Sequence, residues 1–467
     1  MSDKNSSNTW LIWLALMLTL SVYFTFLLIE GEDKSVFMPG ELTGGHHQIG
    51  VACDACHGES FSNKDEMQEK CVECHGDQRQ KPFDSHPRSK FTDPRNADRL
   101  ENIDATYCVT CHVEHKPDLA DKTGVTQAKD FCVHCHQDIA KDRPSHQGME
   151  FDTCASAGCH NYHNNRALYT DFLVKHMDEP DVLEKPTIVE KEFASVLEEI
   201  ITYPHDNYPV KALTQKDIDA PANILVKMDK SISHDWKSTA HAKSGANCTS
   251  CHMKAIDGTK KSAWTNTPDH SACETCHDIE VKHFKQGKHG MRLQQNLSAM
   301  TPADARLPMK PEAYKNKLDC NSCHQPHRYN LQTAAIDSCL ECHDDKHSLA
   351  YKDSSHFELW NKELTGELPS GSGVSCATCH MPRVSIDVND WLRRTVVQHN
   401  QNATLTPNEK MIRPVCLNCH GLGFSIDSLA DEKLVSINFN GKPSVHVESI
   451  DLAKQDNIRH LMRIQDD

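Results

Sequence analysis

The chain has 467 residues, a formal charge of −16 and 38% apolar residues. Even with glycine added it falls below the roughly 45 to 50% apolar content of ordinary globular chains. The polypeptide alone is short of material for a core of normal size, and its acidic balance argues against nucleic acid as a partner.

Residues 1–9 form a short polar tail carrying Lys4, and Trp10 to Ile29 are twenty consecutive residues without a charge. That length spans a bilayer as a helix. A cleaved signal peptide is the alternative, but its apolar region is shorter and ends at a small-residue site. Here EGEDKSVF comes next, so an uncleaved transmembrane anchor at 10–29 is expected. Lys4 and Lys34 are too few to set orientation by positive charge.

Beyond the anchor, C-x-x-C-H recurs ten times, in the pairs Cys53/Cys56, Cys71/Cys74, Cys108/Cys111, Cys132/Cys135, Cys248/Cys251, Cys273/Cys276, Cys320/Cys323, Cys339/Cys342, Cys376/Cys379 and Cys416/Cys419. The histidines directly after them are His57, His75, His112, His136, His252, His277, His324, His343, His380 and His420. These motifs use 20 of the 22 cysteines, and Cys154 and Cys159 of CASAGCH, with His160 after them, are the other two. Zinc knuckles also use C-x-x-C, but zinc does not require a histidine after every second cysteine. Covalent haem attachment does: two sulfurs hold the porphyrin edge and the adjacent imidazole becomes the proximal iron ligand. The expectation is eleven covalently attached haem c groups. Their propionates would add negative charge, and the chain without them would be largely unfolded. Since c-type maturation takes place outside the bacterial cytoplasm, the expected location is the inner membrane, single-pass, with the N-terminus in the cytoplasm and the haem domains in the periplasm.

Motif spacing suggests a domain map: a pentahaem domain at 30–165, a linker at 166–232 and a hexahaem domain at 233–467. Within the linker, Val189, Phe193, Val196, Leu197 and Ile200 fit one face of a helix. Pro204, Pro209 and Pro221 then break any regular element. The segments between motifs look too short and polar for sheets, and only Leu434–Phe439 alternates weakly. The expected fold class is mainly α with little regular structure, a haem-cored multihaem cytochrome c preceded by one transmembrane helix.

Of 31 histidines, eleven are proximal candidates, which leaves 20 for the opposite iron faces. The distal candidates are His46, His47, His86, His115, His134, His146, His163 and His176 in the first cluster. In the second they are His241, His270, His283, His289, His327 and His347, with His234, His356 and His399 as substitutes. His446 and His460 stand too far from any motif. His115, His163 and His327 each come three residues after a proximal histidine, a helical turn that lets the second ring reach a neighbouring haem. If any haem were open to substrate, the cation-rich stretch with His283, Lys288 and His289 would be the place to look; distal ligation is the preferred reading there.

The first cluster, GHHQIGVACDACHG with CVECHG, CVTCHVEH and CVHCHQD close behind it, resembles the small multihaem domains of the cytochrome c3 and c7 type. That resemblance implies distal ligation from His46 or His47, and it makes CASAGCH an attachment site, because such domains accept four residues between the cysteines. The second cluster, with HDWKSTAHAKSGANCTSCH, GKHGMRL, CNSCHQPH and GVSCATCHMPR, resembles the hydroxylamine oxidoreductase and octahaem reductase superfamily. It departs from that group in having six haem motifs, no C-x-x-C-K site and no tyrosine after His420. The function expected is electron carriage between the quinol pool, or a quinol dehydrogenase, and periplasmic or outer-membrane redox proteins. The alternative is an enzyme that reduces nitrite, hydroxylamine, sulfite or tetrathionate at an open haem of the second cluster; no catalytic residue stands out for it.

Overall fold

The computed structural model describes residues 4–31, 33–58, 63–79, 86–101, 103–143, 146–154, 162–164, 168, 170–187, 211–256, 258–259, 261–328, 330, 332–389, 392–405, 409–448, 450–452 and 454–455. Five helices among these reach nine residues or more: α1 (Lys4–Glu30), α2 (Lys64–Arg79), α3 (Asp278–Gln286), α4 (Ser355–Leu364) and α5 (Leu422–Ala430). The remaining helices are short turns joined by loops, so the chain is mainly α with little regular structure. The linker helix expected near Val189–Ile200 lies outside the described residues.

Backbone contacts divide the chain into two compact units, one made of 1–81 with 87–134 and one of 82–86 with 135–467. The division passes inside the fourth motif, between His134 and Cys135. The domain limits at 165 and 232 remain a reading of motif spacing.

In the first unit, α1 contains one apolar stretch, Thr9–Glu30, long enough to cross a bilayer, with a mean hydropathy of 2.3. Asn63 starts α2 by accepting the Asp65 and Glu66 N–H groups at 2.9 and 3.0 Å. Acidic Asp65 and Glu66 in its first turn suit the positive end of the helix dipole. Further along, buried Gln68 accepts the Cys108 N–H at 2.9 Å and ties the second motif to the third.

The second unit has two small apolar clusters. In one, Leu422 and Ile426, one turn apart on α5, pack with Leu168, Ile412 and Ile450. In the other, Trp360 of α4 joins Tyr351, Leu340, Ala335 and Ile336. Ala335 and Ile336 belong to a π-helical turn, Thr333–Asp337, that runs into the motif at Cys339. Wide turns of this kind are rare and frequently accompany functional sites.

Two hairpins correct the expectation that no sheet forms. Strands β1 (Met253–Ala255) and β2 (Ser262–Trp264) pair antiparallel, as do β3 (Arg383–Asn389) and β4 (Leu392–Val397). The second hairpin buries Val396 completely, and its alternation of Val384, Ile386 and Val388 is a period-2 signal in the sequence. Leu434–Phe439, where the weak alternation lay, is instead a helical turn, Glu432–Ser436, that leads into left-handed residues Asn438 and Phe439. Asp431 caps that turn through the Leu434 N–H, so a local capping bond overrides the pattern.

Candidate haem-binding sites

Among the described residues the attachment motifs lie on short helical turns, except the one at Cys71–His75, which lies within α2. Three of them carry a capping box directly on the motif: Asn247 with Ser250, Asp319 with Ser322, and Ser375 with Thr378. In each, the residue before the first cysteine and the hydroxyl between the two cysteines satisfy each other's backbone N–H, which winds the turn. The two sulfurs and the histidine are thereby presented together. Among the described residues no group of three or more His, Cys, Asp or Glu side chains is arranged to hold a metal ion.

Among the described residues, nine of the proximal candidates face a second histidine. The ring-centre distances are 6.4 Å for His57 and His115, 5.9 Å for His75 and His46, and 6.0 Å for His136 and His86. Further along the chain they are 5.8 Å for His252 and His327, 6.2 Å for His277 and His241, and 6.1 Å for His324 and His399. The last three are 6.4 Å for His343 and His289, 5.9 Å for His380 and His347, and 6.2 Å for His420 and His356. Two imidazoles on opposite faces of one metal, with bonds of about 2.0 Å to each nitrogen, have ring centres roughly 6 Å apart. The pairs therefore fit six-coordinate haem iron.

Seven of the expected distal candidates, His46, His86, His115, His241, His289, His327 and His347, stand in such pairs, and two substitutes, His356 and His399, do as well. His115 and His327 each face the motif two places earlier in the chain. The other candidates are placed differently. His47 Nδ1 lies 3.1 Å from Gly44 O, His134 is exposed, and His163 packs edge-on against Tyr162. His176 Nδ1 meets Glu179 at 2.6 Å, and His270 Nδ1 lies 3.6 Å from Asp319. His146 N–H donates to Arg143 O at 2.9 Å, His283 lies on α3, and His234 meets Asp235 at 3.3 Å. Cys159 and His160 of CASAGCH lie outside the described residues, as does His460; Cys154 is half-buried.

Electrostatics suits iron binding. A ligating imidazole must be neutral, and loss of water together with neighbouring histidines pushes His289, His356 and His380 down to about 4. The outward nitrogens are held by backbone. His252 Nδ1 lies 2.7 Å from Thr265 O, His112 Nδ1 3.1 Å from Gly124 O, and His420 Nδ1 2.8 Å from Asp181 O. An Nδ1–H donating to a carbonyl leaves Nε2 for the metal.

Glycines permit two close approaches. A Cβ on Gly421 would strike the Pro180 and Glu179 carbonyls, and Gly421 N–H donates to Pro180 O at 3.1 Å. Leu183 and Thr187 continue the contact by donating to Cys419 O and Asn418 O, both at 2.8 Å. The segment 180–187 thus straps the last motif, Cys416–His420. A Cβ on Gly40 would strike the His115 carbonyl, while His115 itself is left-handed at φ 62° with Nδ1 2.8 Å from Gly40 O.

Successive motifs also come close to one another. In the second unit Cys251 lies beside Cys273 and Cys276, Cys273 contacts Cys320, and Cys323 lies beside Cys339 and Cys342. Cys339 then contacts Cys376, and Cys379 lies beside Cys416 and Cys419. In the first unit Cys56 lies beside Cys74, and Cys71 contacts Cys108. Each of these direct sulfur contacts joins the first cysteines of two motifs, and second cysteines take the step between. Hydrogen bonds from Asn321 Nδ2 to Pro268 O at 2.8 Å and from His270 N to Asp319 Oδ2 at 3.2 Å hold one such junction.

The family model for cytochrome c3 matches residues 45–137 and 312–386, which carry the first four regular motifs and those at Cys320, Cys339 and Cys376. No solved structure matches the chain. The resemblance of the second cluster to the octahaem reductases is not among the matches, and part of that cluster falls under the cytochrome c3 model instead. Motif array, facing imidazoles and family match together support a multihaem electron-transfer cytochrome of the c type.

Proposed function

We propose that this chain is a membrane-anchored periplasmic cytochrome with eleven covalently attached haems. It carries electrons between the quinol pool, or a quinol-oxidising membrane partner, and soluble or outer-membrane redox proteins. Haem c supplies a one-electron Fe(III)/Fe(II) couple when bound. The chain's own residues do the rest. Cysteine pairs fix the attachment points, and their unbroken succession from Cys248 to Cys419 is the observation that carries the reading. At nine of the eleven expected sites paired imidazoles would hold both axial positions of the haem iron, which favours electron carriage over substrate binding there. His289, beside the lysine-rich stretch considered for an open site, faces His343 at 6.4 Å, which favours ligation. The apolar stretch of α1 supports anchoring next to the quinol pool.

EPR of the oxidised protein, with and without nitrite, hydroxylamine or sulfite, tests this. Low-spin signals indifferent to all three are expected. A high-spin signal that responds to one of them would replace the electron carrier with a reductase.

A further inference from the structure

In the stretch CHVEH, His112 is a proximal candidate and His115 faces His57 at 6.4 Å. Glu114, between them, reaches a different pair. Its Oε1 lies 2.7 Å from Nδ1 of His46, the ring that faces His75 at 5.9 Å. The carboxylate is itself fixed: Thr43 N–H donates to Oε2 at 3.0 Å, and Thr43 Oγ1 lies 2.9 Å from both oxygens. The outward nitrogens of five other second rings meet backbone carbonyls: Gly40 O for His115, Tyr162 O for His86, Pro326 O for His241, Val435 O for His347 and Val397 O for His399. A carbonyl is a neutral acceptor. A carboxylate makes a charge-assisted bond of about twice the strength.

We propose that Glu114 is a positioning residue: by accepting the Nδ1 proton of His46 it gives that imidazole anionic character and sets the haem attached at Cys71 and Cys74 to a lower potential than a carbonyl partner would. This rests on His46 and His75 being an axial pair. An electron-rich imidazole stabilises ferric over ferrous iron, and outer partners of metal-bound histidines change metal properties by about tenfold or more. Thr43 acts in the opposite sense. Its hydroxyl shares the carboxylate's charge, so removing it leaves Glu114 a stronger acceptor for His46.

The experiment is a potentiometric EPR and optical titration of the full-length, haem-loaded protein and three variants, with haem content checked by pyridine haemochrome. In Glu114→Gln one low-spin component should move positive by about a tenfold change in its oxidised-to-reduced ratio, which is about 59 mV for one electron. Its g-values should move at the same time, and Glu114→Asp should keep most of the wild-type behaviour. In Thr43→Val the same component should move negative. A merely structural role for the contact predicts no opposite shifts. If no component moves in Glu114→Gln at full haem content, or if both variants move it the same way, the proposal is wrong. If Glu114→Gln fails to mature, the sign of the Thr43→Val shift alone decides. A high-spin signal in wild type from the haem at Cys71 and Cys74 would instead overturn the axial pairing on which the proposal rests.

Discussion

His356 and His399 stand far along the chain from the motifs whose rings they face. His356 is set on the first turn of α4, where Ser354 caps the helix by accepting the Phe357 N–H at 3.2 Å. His399 comes just after β4, with Nδ1 2.9 Å from Val397 O. If each is an axial ligand, His356→Ala opens one face of the haem at Cys416 and Cys419. One low-spin EPR component should then turn high-spin, and added imidazole should restore it; an unchanged spectrum would remove His356 from the ligand set. In the sequence these two residues ranked only as substitutes behind His270 and His283, because a ring's direction depends on where its element is docked. The proximal residues needed no such knowledge, since attachment chemistry is contained in five consecutive positions.

Single elements hold the sites through a few bonds each. Gly421 lets the 180–187 strap lie against the last motif, and Gly421→Ala should force them apart at a cost of about 1–3 kcal/mol. Thermal unfolding should register the loss, and the optical bands of one haem should shift with it; an unaltered melting curve would show that the strap yields freely. The tail after α5 is joined through His446, whose ring lies 2.8 Å from Asp427 and 2.9 Å from Asp451. Hydrogen bonds to Asp427 and then Asp451 raise its pKa above 6.5. A raised folded value means that this contribution is complete below the ordinary histidine value and is lost as pH climbs through the folded value. Hydrogen exchange at the Val447 amide, which donates to Asp427 at 2.8 Å, should therefore quicken beyond the intrinsic base-catalysed rise as the solution becomes alkaline. In His446→Gln that excess should vanish. The β3–β4 hairpin belongs to this scale too: its apolar alternation is present in the sequence, but charged Arg393 and Arg394 obscure it.

Among the described residues the apolar clusters are small and the motifs closely strung, as expected of a chain whose interior haem would help to fill. Pyridine haemochrome and mass should give eleven haems per chain, and ten would remove CASAGCH from the attachment sites. Deleting residues 1–30 behind an exported signal should release the cytochrome from membranes with its spectrum intact; retention in the membrane fraction would count against α1 as the anchor. What the sequence determined by itself is the position of every cysteine pair with its adjoining histidine, the apolar N-terminal stretch and the mainly helical class, because covalent attachment and hydropathy are local properties. Only the tertiary structure decided which distant ring faces which motif, that a carboxylate just after the third motif reaches His46, and that the motifs from Cys248 to Cys419 come close in chain order. Those depend on the return path of the backbone through hairpins, straps and docked helices, and a five-residue motif carries no record of that path.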